Sequence, residues 1–257
     1  MRGGLEVTGI VRRFGGVTAL AGVDLTVAPG QVRALIGPNG SGKSTMINCI
    51  SAVDRWDEGT VVLDGEPVKP AASAVAARRG IARTFQTLRL FDDMTVLENV
   101  LVAMHHRRGY GLLAAISALP AYGRAERDMR RRAMELLEFA GIAEHAHRGA
   151  GTLPYGHRRL VEIARALACD PSLLLLDEPA AGMNDSETVR LAELVQQIST
   201  QDLSILVVEH NMDFVASVAE RVTVLDNGHV IADGTPAEVR VHPDVLRAYL
   251  GASEEQR

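Results

Sequence analysis

The residues Gly37, Pro38, Asn39, Gly40, Ser41, Gly42, Lys43, Ser44 and Thr45 fit the pattern G-x-x-x-x-G-K-[ST]. Glycines at 37, 40 and 42 let the backbone wrap closely. Successive N–H groups and the positive end of a following helix then point at the β- and γ-phosphates of a nucleotide. Lys43 adds a full positive charge, Ser44 offers a hydroxyl oxygen to Mg2+, and Thr45 reaches the α-phosphate. An incidental glycine turn would not need a strand before it and a helix after it. Here VRALI (32–36) reads as that strand, and a helical pattern follows.

Phosphate binding alone hydrolyses nothing. A second group lies at Leu173 to Glu178, where four leucines read as a buried strand ending in Asp177 and Glu178. Two carboxylates at the end of so apolar a strand are costly unless a cation or a reaction uses them. Asp177 is expected to hold Mg2+ through water, and Glu178 to polarise an attacking water as general base. The plainer alternative is a strand end meeting solvent, with Glu178 capping the next helix.

The elements that must position these groups can be read from the same residues. LLLLD (173–177) and SILVVE (204–209), like VRALI, precede helical patterns, which implies a parallel sheet covered on both faces. LEVTGIV, VDLTVA and the late RVTVLDNGHVIAD alternate like half-exposed antiparallel strands, with Asn227-Gly228 as a tight hairpin turn. A smaller antiparallel sheet is therefore expected beside the parallel one, with all three segments in it. From 94 to 168 the strand signal disappears. Met129, Ala133, Leu136, Leu137 and Ala140 fall on one helix face, and Gly141 reads as the C-terminal cap, so 94–168 is expected to be an inserted helical subdomain. Arg130, Arg131 and Arg132 occupy the polar side. Leu112 to Tyr122 is apolar but short and broken by Pro120, which favours buried packing or a partner surface. Residues 235–257 are expected to form a helical tail.

Composition narrows the class. With 47% apolar residues in 257, the chain can fill a core without disulfides, and Cys49 and Cys169 are expected to be reduced thiols. A net charge of −5 argues against a nucleic-acid binder driven by phosphate neutralisation. No stretch approaches the ~20 apolar residues that cross a bilayer. If the chain serves a membrane process, other chains must supply the spans.

With these residues assembled, the chain resembles the ATP-binding subunits of ABC transporters over nearly its whole length. The resemblance implies an α/β P-loop fold, Mg-dependent ATP hydrolysis, and further site residues. Phe14, in RFGGVTAL, matches the aromatic that stacks on adenine. Gln86, in ARTFQTLRLF, matches the glutamine that touches Mg2+ and the attacking water. Leu153, Pro154, Tyr155, Gly156 and His157 match the signature, whose helix N-terminus caps the γ-phosphate of the partner subunit's ATP. Asn184, in PAAGMN, matches the D-loop at that interface, and His210, in VVEHN, the switch histidine at the γ-phosphate. His145 and His147 lack further ligands for a metal and read as surface residues.

Within the family, RTFQTLRLFDDMTVLENVLVAMHH, LPYGHRRLVEIARAL, DEPAAGMN and HPDVLRAYLG are similar to the LivG-type ATPase of branched-chain amino acid importers. That resemblance implies a second, homologous ATPase subunit, with a heterodimer expected and a homodimer as the alternative. It also implies two transmembrane permeases, an external solute-binding protein, and a peripheral place on the cytoplasmic face of the membrane. The rival readings are an importer of urea or amides and an ABC ATPase that takes no part in transport. Four positions depart from the usual pattern: Pro154 for the signature serine, Tyr155 for a glycine, His157 for the signature glutamine and Asn184 for the D-loop aspartate. A lost neutral hydroxyl costs about 1 kcal/mol of contact. The site using this chain's signature is therefore expected to be weaker than the site using its cradle.

Overall fold

The computed structural model describes residues 4–108, 120–200 and 203–254. Its contacts divide into two compact units. One comprises residues up to Gln86, Ser172–Ala181 and Thr188 onward; the other comprises Thr87–Pro171 and Gly182–Glu187.

The first unit holds both sheets. Strands β1 (Leu5–Phe14), β2 (Val17–Val27), β4 (Glu58–Leu63) and β5 (Glu66–Pro67) form an antiparallel sheet in the order β2-β1-β4-β5. In β1 the residues Leu5, Val7 and Ile10 are buried while Glu6 and Thr8 are exposed, the alternation of a sheet with one wet face. The second sheet runs β10-β9-β3-β8-β7-β6, built from β3 (Val32–Ile36), β6 (Ile81–Arg83), β7 (Leu173–Asp177), β8 (Ser204–Val208), β9 (Arg221–Asp226) and β10 (His229–Gly234). All neighbours in it are parallel except β9 and β10. β3, β7 and β8 are buried at every residue, as continuous apolar runs covered on both faces must be.

The C-terminal hairpin departs from expectation. Asn227 and Gly228 do turn the chain at positive φ, 47° and 77°. The hairpin nevertheless joins the larger sheet, with β9 parallel to β3. The physical reason is burial: Val222, Val224 and Leu225 are wholly buried, and Thr223 between them is buried too. Thr223 disguises a two-faced strand as an alternating one. Helix α1 (Lys43–Ile50) sends Met46, Ile47, Cys49 and Ile50 into one apolar cluster with β1, β2, β4, β7 and β8. Helices α2 (Ser73–Arg78), α7 (Met212–Val218), α8 (Pro236–Arg240) and α9 (Pro243–Glu254) also belong to this unit. A reciprocal capping box between Thr235 and Glu238 starts α8.

The second unit is helical: α3 (Val96–Arg108), α4 (Pro120–Phe139), α5 (Tyr155–Leu167) and the start of α6 (Asp185–Ser199). On α4 Met129, Ala133, Leu136 and Leu137 are buried, as is Ala140 just past its end, and Gly141 follows at φ 70°. Arg130, Arg131 and Arg132 are exposed and paired with Glu126, Asp128 and Glu135 on their own helix. Most of the apolar segment 112–122 lies outside the described residues. Cys49 and Cys169 form no disulfide, and burial pushes the Cys49 thiol pKa up to about 12.

Candidate active site

In the first unit, β3 ends at Ile36 and the loop from Gly37 carries the chain into α1, which starts at Lys43. Gly37 and Gly42 are demanded by space as well as conformation. A Cβ at Gly37 would lie 2.1 Å from the Leu225 carbonyl oxygen, and one at Gly42 would lie 2.6 Å from that of Ala19. Lys43 is buried and its Nζ donates to the carbonyls of Gly37 (2.8 Å) and Pro38 (2.9 Å). Burial lowers its pKa, opposed by the charges of Glu178 and Asp177. Asn39, Gly40 and Ser44 are exposed and Thr45 is half-buried, so the open side of the loop presents backbone and a hydroxyl to solvent. The Ser41 hydroxyl is buried without a hydrogen-bond partner.

β7 delivers Asp177 and Glu178 to the same unit. Asp177 is buried and its carboxylate accepts from Arg83 at 2.9 Å. Glu178 adopts φ 45°, a left-handed conformation that costs a non-glycine residue free energy, and its carboxylate accepts from Gln86 Nε2 at 2.9 Å. His210 follows β8 with an exposed ring, its Nδ1 3.8 Å from the buried Glu209 carboxylate. Phe14 is 46% exposed, so it is no core residue, and the Arg12 guanidinium lies 4.1 Å from its ring centroid. The oxygen donors Ser44 and Asp177 suit a hard cation such as Mg2+. Among the described residues no cluster of three or more His, Cys, Asp or Glu could cage a metal.

In the second unit, Pro154 is the N-cap of α5 and Leu153 before it is buried. Tyr155 is 40% exposed, and its hydroxyl accepts from Arg159 at 3.0 Å. Arg159 is buried and also donates to buried Glu162 at 2.6 Å. A Cβ at Gly156 would fall 2.3 Å from the Glu187 carboxylate, and one at Gly182 would fall 3.4 Å from the Tyr155 ring. The Asn184 side chain accepts from the Glu187 N–H at 3.0 Å while Glu187 accepts from the Asn184 N–H at 3.0 Å, so Asn184 caps the start of α6. His157 packs edge-on against His145 at 4.9 Å. His145 is therefore no simple surface residue: its side chain is only 16% exposed.

A family model described as "ABC transporter" matches residues 20–181, and one described as "Branched-chain amino acid ATP-binding cassette transporter" matches 229–255. The chain is 44% identical over 248 residues to the high-affinity branched-chain amino acid transport ATP-binding protein BraF of Pseudomonas aeruginosa, covering 96% of this chain and 97% of that protein. It is 42% identical, with the same coverage, to the corresponding LivG protein of Escherichia coli K12. The chain belongs to the ABC transporter ATP-binding family. Among solved structures, this cassette is similar to the ADP conformation of an ATP-binding cassette of an ABC transporter, with a TM-score of 0.84, 34% identity and coverage of 98% and 99%. It is also similar to a dimeric cassette in a post-hydrolysis state bound to ADP and Pi, with a TM-score of 0.76, 26% identity and coverage of 90% and 98%.

Two residues of the cassette's site escaped sequence reasoning. Arg83 ties Asp177 to α1 through Asn48 (2.6 Å) and Ser51 (3.1 Å). Glu209 accepts the N–H groups of Ala180, His210 and Asn211, joining the segment after β7 to the one after β8. The signal for Glu209 was available, since VVEH ends an apolar strand on a carboxylate just as LLLLDE does. Arg83 carries no such mark; only the parallel pairing of β6 with β7 brings it to Asp177.

Proposed function

We propose that this cassette binds Mg-ATP through Gly37–Thr45 and hydrolyses it to drive an importer of branched-chain amino acids. The observation that carries the reading is the convergence, within one unit, of the cradle, Lys43, Asp177 and a Glu178 already hydrogen-bonded to Gln86. Cradle amides and Lys43 hold the phosphates, Phe14 stacks on the base, and Glu178 takes the proton of the attacking water while Gln86 touches that water and His210 contacts the γ-phosphate. Ser44, Asp177 and Gln86 would hold Mg2+, which supplies charge neutralisation at the phosphates.

The substrate assignment is supported by the two relatives and by the tail match. Leu153–His157 and Asn184 act on the nucleotide of a second ATPase subunit, so each site is shared; a heterodimer is the preferred form. No described helix is long and apolar enough to cross a membrane, so permease chains supply the spans and an external binding protein supplies the solute. The cassette then sits peripherally on the cytoplasmic face. Co-purification of the native complex, reconstitution into liposomes and measurement of labelled leucine uptake tests this reading. ATP-dependent uptake competed by isoleucine and valine is expected. Uptake of urea or amides with none of leucine would overturn the substrate class, and absence of any copurifying membrane protein would overturn the transport role.

A further inference from the structure

Phe14, the ring assigned to the base, is backed by a charge that the site described so far leaves unused. Arg12 stands two positions before it on β1, and the guanidinium carbon lies over the ring, 4.1 Å from its centroid. The guanidinium is itself fixed. Its side chain is only 9% exposed, Nη2 donates to the Asp54 carboxylate at 3.0 Å, and Nη1 stands 3.6 Å from that of Asp57.

Both carboxylates are tied to elements that frame the cradle. Asp54 donates its N–H to the carbonyl of Asn48, on α1, at 3.2 Å. Asp57 accepts the Arg13 N–H at 2.6 Å and donates its own N–H to the Val11 carbonyl at 2.8 Å, so it grips β1 on either side of Arg12. Phe14 pairs with Val17 of β2, and further along that strand the Ala19 carbonyl stands where a Cβ on Gly42 would meet it at 2.6 Å. The ring therefore stands on a strand pair that abuts the phosphate loop.

An ion pair that merely fastened β1 to the segment after α1 would need no ring above it. A wholly exposed aromatic side chain samples several rotamers, and a ligand stacking on it bears the cost of ordering it. Here the guanidinium covers one face while Phe14 stays 46% exposed, so the ring is ordered beforehand and still open to a base. We propose that Arg12 is a positioning residue for the base, its flat guanidinium backing Phe14 so that the ring meets adenine already in place, a role that rests on the nucleotide reading above.

The test is calorimetric titration of the purified full chain with Mg-ATP and with Mg-tripolyphosphate, which carries the phosphates and no base. Arg12→Lys keeps the charge that Asp54 pairs with and gives up the plane that stacks. The Kd for Mg-ATP is expected to rise about three-fold, the scale of an exposed cation–π contact, while that for tripolyphosphate stays within about 1.5-fold. A variant that only loosens the fold weakens both ligands alike, so equal weakening overturns the proposal, as does an unchanged Kd for Mg-ATP. With Phe14→Leu already in place, Arg12→Lys is expected to move the Kd for Mg-ATP by less than about 1.5-fold; a further rise as large as that in the wild-type background would mean that Arg12 does not act through the ring. The wild type separates the two readings. If it binds neither ligand, the nucleotide reading has failed; if it binds both and Arg12→Lys matches it, only the role of Arg12 falls.

Discussion

Glu178 and Asp177 stand side by side at the end of one buried strand, yet their surroundings differ. Asp177 is ion-paired with Arg83, whereas Glu178 is half-buried, held at positive φ and hydrogen-bonded to the neutral Gln86 amide. Glu178→Gln is accordingly expected to retain ATP while hydrolysis falls on the order of 100-fold or more, read by phosphate release and by nucleotide retained on a desalting column. Near-normal turnover would refute the base assignment. Arg83→Met removes one member of a pair whose side chains are each 10% exposed and leaves Asp177 uncompensated. Urea unfolding is expected to show a loss of about 3 kcal/mol, and a change under ~1 kcal/mol would mean that solvent reaches Asp177. The cradle and both carboxylates were legible because their chemistry is local in sequence. Arg83 was not, since its partner lies 94 positions away and only strand pairing brings them together.

The hairpin β9–β10 shows at the level of an element what periodicity can and cannot say. Asn227-Gly228 marked the turn correctly, because positive φ at two successive positions admits few residue types. The sheet it joins was misjudged, because polar Thr223 at an alternating position looks solvent-facing. In the fold, Thr223 is buried and donates to Asp233 at 2.7 Å while Arg33 donates to both. Burial alone would raise the Asp233 pKa, but hydrogen bonds from Thr223 and Arg221 and the charges of Arg33 and Arg221 bring it below its ordinary 3.8. A carboxylate with a depressed folded pKa contributes stability that is complete above its unfolded value and is lost as pH falls through the folded one. The stability gap between wild type and Asp233→Asn, from urea midpoints, is therefore expected to be full at pH 7 and to shrink below about pH 3.8. A gap that widens on acidification would contradict the assignment. Asn184 teaches a similar lesson: a residue read for its place at a subunit interface also serves as a helix cap.

At the scale of the whole molecule, two units carry two kinds of residue. The unit with both sheets holds the cradle, Lys43, Asp177, Glu178, Gln86 and His210, and the helical unit holds the signature together with Gly182–Glu187. Grouping of the D-loop with the signature was invisible in sequence, since it depends on Gly156 and Gly182 giving room to Glu187 and Tyr155. Everything proposed for this cassette requires that the first unit grip a triphosphate. The most direct measurement is calorimetric titration of the full chain with Mg-ATP, comparing wild type with Lys43→Ala. Loss of a buried, charge-assisted contact to phosphate is expected to weaken binding on the order of 100-fold. Equal affinity in the two proteins would contradict the account at its base.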